Sequence, residues 1–189
     1  MNKFLRKFEI NELVIISFTA AIGLAIKPVV VPLIHMITGP LMIPGGALAG
    51  GFYMLWIVLG AALIDKRGTA TLIALVQAII VMISGTFGTH GFISLLTYAI
   101  PGIMIDVFLI ITRKNIKIPI MFFICGAIAN ISGTYLSNLV FFRLPILPLM
   151  FSLSSACLSG GIGGLIAYLI FSKIKNIGME IWWITEIFF

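Results

Sequence analysis

The sequence predicts an all-α integral membrane protein, a single domain of six transmembrane helices with both termini in the cytoplasm. The first observation behind this is composition: 61% of the 189 residues are hydrophobic and 10% are charged, and the mean hydropathy is +1.21. A soluble chain of this length needs a polar exterior, because much of its surface meets water. The second is that the apolar residues fall into runs close to the roughly 20 residues that cross about 30 Å of hydrocarbon. The third is that the basic residues gather in alternate connections.

Taken in order, the spans are predicted at about 12–27, 44–64, 69–87, 92–112, 117–140 and 149–172. The first is short, and Glu9 and Glu12 directly before it argue for a retained helix over a cleaved signal. The connection from Lys27 to Ile43 holds Pro28, Pro32, His35, Gly39 and Pro40 among apolar residues. Proline breaks helices, so this stretch is expected to be a loop folded back over the bundle mouth, a lid carrying Pro32, His35 and Pro40. The second span opens on the small residues Gly45 to Gly51, and the sixth contains Gly160-Gly161-Ile162-Gly163-Gly164. Such residues let helix backbones approach closely, within the chain or against a partner. After the sixth span, residues 179–189 contain Trp182, Trp183, Phe188 and Phe189 beside Glu180 and Glu186, a pattern expected of a segment lying on the membrane interface.

Sorting the twelve basic residues orients the bundle. Lys3, Arg6 and Lys7 precede span one, Lys66 and Arg67 follow span two, Arg113, Lys114 and Lys117 follow span four, and Lys173 and Lys175 follow span six. Only Lys27 and Arg143 fall on the other side. Positive charge collects on cytoplasmic loops, so this arrangement places both termini inside. The net charge of +6 therefore reads as topology and contact with membrane lipid, and no soluble basic face exists to bind nucleic acid. Cys125 and Cys157 lie within apolar runs, away from ligand-spaced partners, and read as packing residues; no metal site is expected.

Polar side chains inside a membrane are costly and so mark sites. Asn130, Thr134 and Asn138 recur every four residues on span five, in its outer half, with Ser137 beside them. Span six adds Ser152, Ser155 and Ser159, span four Thr97 and Tyr98, and the end of span three Ser84, Thr86, Thr89 and His90. Any one of these is explained by hydrogen bonding between helices. Together, at one depth, they point to a neutral hydrogen-bonding pocket open to the outside, for a small polar or aromatic molecule. Tyr53 and Trp56 on span two either stack on such a ligand or pack in the core. Gln77 bonds either to substrate or to Asp106, the only acid within a span. Asp106 lies about 9 Å from the cytoplasmic end of span four, so a coupling or structural role suits it better than substrate contact. Nucleophile elbows, zinc-protease and Walker motifs are missing from the sequence, so the chain is not expected to be an enzyme, and no cofactor is expected.

The six spans, the long apolar first outer connection and Ala21-x-x-x-Ala25 in span one resemble the S components of energy-coupling factor (ECF) vitamin transporters, over essentially the whole chain. The resemblance implies a substrate-capturing subunit in the cell membrane. It implies docking through Ala21 and Ala25 onto a transmembrane coupling subunit, two ATPase partners, and small residues of the first three spans, Gly45 to Gly51 among them, as a sliding surface. Gly39-Pro40, the turn Asp65-Lys66-Arg67-Gly68-Thr69-Ala70, and Pro101-Gly102 followed by Asp106 are similar to the type handling thiamin or its hydroxymethylpyrimidine precursor. That type is expected to carry carboxylates in its third span, where this sequence has only Gln77. Two alternatives stand beside it: an S component for another vitamin or cofactor such as cobalamin or riboflavin, and a stand-alone secondary carrier using Asp106.

Overall fold

A computed structural model describes residues 8–41, 44–84, 93–113 and 116–188, with side chains except at 41, 93, 94 and 178–188. Its described elements are α1 (Ile10–Thr38), α2 (Gly45–Ile64), α3 (Thr69–Ser84), α4 (Ile93–Thr112), α5 (Pro119–Ser137) and α6 (Ile146–Phe188). A 3₁₀ turn, Gly39–Leu41, follows α1, and a π-helical turn, Asn138–Phe142, closes α5. Among the described residues five helices are long and apolar enough to cross a membrane, and α3 is a shorter apolar helix.

The first helix differs most from expectation. It runs unbroken through Pro28 and Pro32, so the predicted lid loop is the last three turns of a 29-residue helix. A proline removes one helical N–H, and in an apolar setting the helix remains the best way to satisfy the other backbone groups. Pro32 and His35 therefore sit on α1, and Pro40 lies in the 3₁₀ turn behind it. The α1–α2 connection is correspondingly tight. Gly45 N–H donates to His35 Nδ1 at 3.3 Å, and a Cβ on Gly45 would stand 2.7 Å from that of His35.

At one end of the bundle, ion pairs and capping bonds join the connections. Lys66 Nζ meets Glu12 at 2.6 Å and Lys117 Nζ meets Asp65 at 2.8 Å. Asp106 of α4 accepts from Gly68 N–H at 3.2 Å, and from Thr71 N–H at 2.7 Å and its hydroxyl at 2.6 Å. It thus caps the start of α3 from a neighbouring helix, where unpaired N–H groups and the helix dipole favour a carboxylate. The start of α1 and the α2–α3 and α4–α5 connections share this end, as the sorting of basic residues requires.

The core lies around α2, which packs against α1 and α6, while α6 also packs on α5 and α3 on α4. Backbones touch where glycines allow it. A Cβ on Gly163 would lie 2.1 Å from the Gly51 carbonyl oxygen, and one on Gly126 would lie 2.1 Å from that of Gly160. Gly45, Gly50 and Gly51 are buried in the bundle, which corrects the expected sliding surface: these glycines serve the chain's own packing. Phe18, Ala21 and Ala25, spaced along one face of α1, are exposed instead. The tail is helical, since α6 continues without a break to Phe188. At about 1.5 Å per residue this helix is roughly 65 Å long, well beyond the bilayer core.

Candidate functional site

A cavity of about 570 Å³ opens at the end of the bundle opposite the clustered basic connections. That volume is typical of small-molecule sites. Five helices build it. From α1 come Lys27, Pro28, Val31, Pro32 and His35, spaced to form one helical stripe; from α2 come Gly45, Gly46, Ala47, Tyr53 and Met54. Thr97 and Tyr98 arrive from α4, Gly133, Thr134 and Ser137 from α5, Asn138, Phe141 and Phe142 from the π turn, and Ser152 from α6.

The π turn has a local cause and a local effect. Asn138 Oδ1 accepts from Leu144 N–H, and its carbonyl accepts from Arg143 N–H, each at 2.8 Å. Asn138 thereby ends α5, with Arg143 in the left-handed region at φ 47°. The widened turn lets Asn138, Phe141 and Phe142 all reach the cavity, a local distortion common at functional sites.

The electrostatic centre is Lys27. Its Nζ lies 4.5 Å from the Tyr53 ring centroid and 3.9 Å from that of Tyr98, over both π faces. Tyr53 is held in place by its hydroxyl, which donates to the Gly46 carbonyl at 2.8 Å. Among the described residues no carboxylate lines the cavity. His35 Nδ1 accepts from Gly45, so its other ring nitrogen carries the proton. Ser152 is fully buried, and its hydroxyl has no hydrogen-bond partner among the described residues.

The predicted site residues divide. Thr134, Asn138, Tyr98, Tyr53, His35 and Pro32 line the cavity. Asn130, Ser155, Ser159, Trp56, Gln77 and Pro40 do not. Asn130 is 1% exposed and donates through Nδ2 to the carbonyls of Ala47 at 2.8 Å and Ala156 at 2.9 Å, tying α5 to α2 and α6. Ser159 bridges α6 to α2, accepting from Gly51 N–H at 2.9 Å and donating to the Leu48 carbonyl. Gln77 makes a long 3.5 Å bond to the Ala20 carbonyl and so serves the α1–α3 contact. Trp56 buries its Nε1 without a hydrogen-bond partner among the described residues. Asp106 is far from the cavity, at the opposite end of the bundle, engaged in capping. His90, with Thr86 and Thr89, lies outside the described residues.

Lys27, Met54, Phe141 and Phe142 were missed. Treating the prolines as breakers hid the Lys27, Val31, His35 stripe, whose fourfold spacing is visible once α1 is allowed to continue. Among the described residues no group of three or more His, Cys, Asp or Glu side chains is placed to hold a metal ion.

Residues 11–132 match the family described as "ABC-type cobalt transport system, permease component". No curated protein matches the chain significantly. Among solved structures, a "Crystal structure of an S-component of ECF transporter" superposes with a TM-score of 0.76 at 16% identity, covering 91% of this chain and 88% of that one. At that identity the likeness is one of fold.

Proposed function

Because the chain belongs to the family of ABC-type cobalt transport system permease components, we propose that it is the S component of an ECF-type importer, capturing a small vitamin-like organic molecule at the outer mouth of the bundle. It is a multi-pass membrane transport component and not an enzyme. The observation that carries the proposal is the cavity of about 570 Å³, lined by aromatic rings, hydroxyls and an amide. It lies at the end away from the clustered basic connections, which the positive-inside rule assigns to the cytoplasm. Tyr53, Tyr98, Phe141 and Phe142 supply aromatic surface for a planar ring, and Thr134, Ser137 and Asn138 offer hydrogen bonds.

The same lining argues about the ligand. Of the two molecules the sequence resemblance implies, thiamin carries a permanent positive charge, and the described lining offers no carboxylate to balance it. Hydroxymethylpyrimidine is uncharged and is the better fit. Cobalamin is far larger than the cavity. A bare cobalt ion calls for several converging donors such as imidazole, thiolate or carboxylate, and among the described residues no three or more His, Cys, Asp or Glu side chains are grouped to hold one. The secondary-carrier reading loses its coupling residue, because the Asp106 carboxylate is occupied by the cap of α3.

In this reading the subunit binds and orients, and two partner ATPases supply the energy through a transmembrane coupling subunit. The exposed face of α1 bearing Ala21 and Ala25 supports docking there, since small side chains allow close helix approach. Affinity purification from native membranes is expected to recover an ATPase pair and a coupling subunit, and mass spectrometry a retained ring compound. A chain that transports alone and is indifferent to ATP would defeat the proposal.

A further inference from the structure

The first turn of α2 has no cap of its own. Pro44, which precedes it, makes no side-chain cap hydrogen bond, although the first N–H groups of a helix need an acceptor. The acceptor comes from α1 instead: Gly45 N–H donates to His35 Nδ1 at 3.3 Å, from ten residues away in the chain. The two backbones are in contact there, since a Cβ on Gly45 would stand 2.7 Å from the His35 Cβ and 2.9 Å from its backbone nitrogen. What the imidazole holds is part of the cavity wall. Gly45, Gly46 and Ala47 all line the cavity, and the Gly46 carbonyl accepts from the Tyr53 hydroxyl at 2.8 Å, fixing a further lining residue. His35 thus ties the end of α1 to the start of α2, and through it to Tyr53.

We propose that His35 is the positioning residue of the capture cavity and makes it sensitive to pH: the neutral imidazole caps α2 and holds its first turn in the wall, and the imidazolium releases it. Only an unprotonated Nδ1 can accept. A second proton turns that nitrogen into a donor facing the Gly45 N–H, and sets positive charge against the positive end of α2. Loss of the cap and that repulsion together favour release by about tenfold. The consequence, a cavity that holds its ligand at neutral pH and loosens in acid, rests on the capture reading. Among the described residues the other titratable side chains of the lining are Lys27, Tyr53 and Tyr98, and the first turn of α2 brings none.

The test compares wild type with H35N, both full-length in nanodiscs, at pH 8 and pH 5, a range in which imidazoles take up a proton. The asparagine oxygen hangs from Cγ as Nδ1 does and accepts at both pH values, while Lys27 and the tyrosines are common to both chains. Amide hydrogen exchange at Gly45–Ala47 is read without ligand, so contact between imidazole and ligand cannot produce the effect. From pH 8 to pH 5 the wild-type exchange rate relative to H35N is expected to rise about tenfold, and its affinity for hydroxymethylpyrimidine relative to H35N to fall. H35F, which has no acceptor, is expected to exchange faster than H35N at both pH values. A constant exchange ratio overturns the inference, and so does a rising exchange ratio with a constant affinity ratio, which would separate the cap from the cavity. Binding of hydroxymethylpyrimidine by neither chain, with no ring compound retained through purification, defeats the capture reading, and the exchange ratio alone then decides the inference.

Discussion

Replacing Asn130 with alanine separates a helix clamp from a ligand contact. The side chain is 1% exposed, and its Nδ2 holds the carbonyls of Ala47 and Ala156 at 2.8 and 2.9 Å. Side-chain hydrogen bonds between membrane helices contribute about 0.6 kcal/mol on average and up to about 1.7, so losing two costs about 1–3 kcal/mol. The lost volume, roughly 25 Å³, adds about 0.6 kcal/mol if the site does not collapse. Collapse is hindered by Gly50, which already touches Asn130: a Cβ there would lie 1.7 Å from Oδ1. The expected loss is therefore about 2–4 kcal/mol. Asn130→Asp is expected to lose more, since it removes the same donor while setting a carboxylate against two carbonyl oxygens. Equilibrium unfolding in mixed micelles measures the loss, and ligand titration of the folded fraction should show affinity changed by less than about threefold. Unchanged unfolding together with abolished ligand binding would refute the clamp and return Asn130 to the site.

Gly163→Ala would place a methyl 2.1 Å from the Gly51 carbonyl oxygen; it is expected to part α2 from α6 and destabilise the bundle by about 3 kcal/mol or more. Gly39→Ala, where nothing stands within 4 Å, is the matched control and should unfold within about 0.5 kcal/mol of wild type. Asp106→Asn leaves one carboxamide oxygen where two carboxylate oxygens accept three bonds. It should lower stability by about 1–3 kcal/mol while uptake driven by partner ATPases persists, and uptake lost without loss of stability would make Asp106 a coupling residue after all. Cysteines placed at Lys66 and Phe142 in intact cells are expected to react with an impermeant maleimide only at Phe142; labelling of Lys66 from outside would invert the bundle and the capture direction with it.

The membrane class and the pairing of ends were legible from sequence because hydropathy and charge are one-dimensional signals: lipid demands a run of apolar residues wherever the chain crosses, and basic residues resist crossing. The polar set on span five was legible too, since fourfold spacing fixes a face, but which neighbour that face meets is not a local property. Asn130 and Thr134 stand one turn apart, yet the first is sealed by Gly50 and Gly160 while the second opens on the cavity. The continuation of α1 through Pro28 and Pro32 was decided by a balance that local propensity does not contain, the cost of unpaired backbone in an apolar surround against one lost hydrogen bond per proline. That continuation is what carries Lys27 over two tyrosine rings. The sequence by itself determined that this chain lives in a membrane and which ends of its helices lie together; only tertiary packing decided which polar groups hold helices and which face empty space, because hydrogen-bond partners far apart in the chain are chosen by how closely its backbones approach.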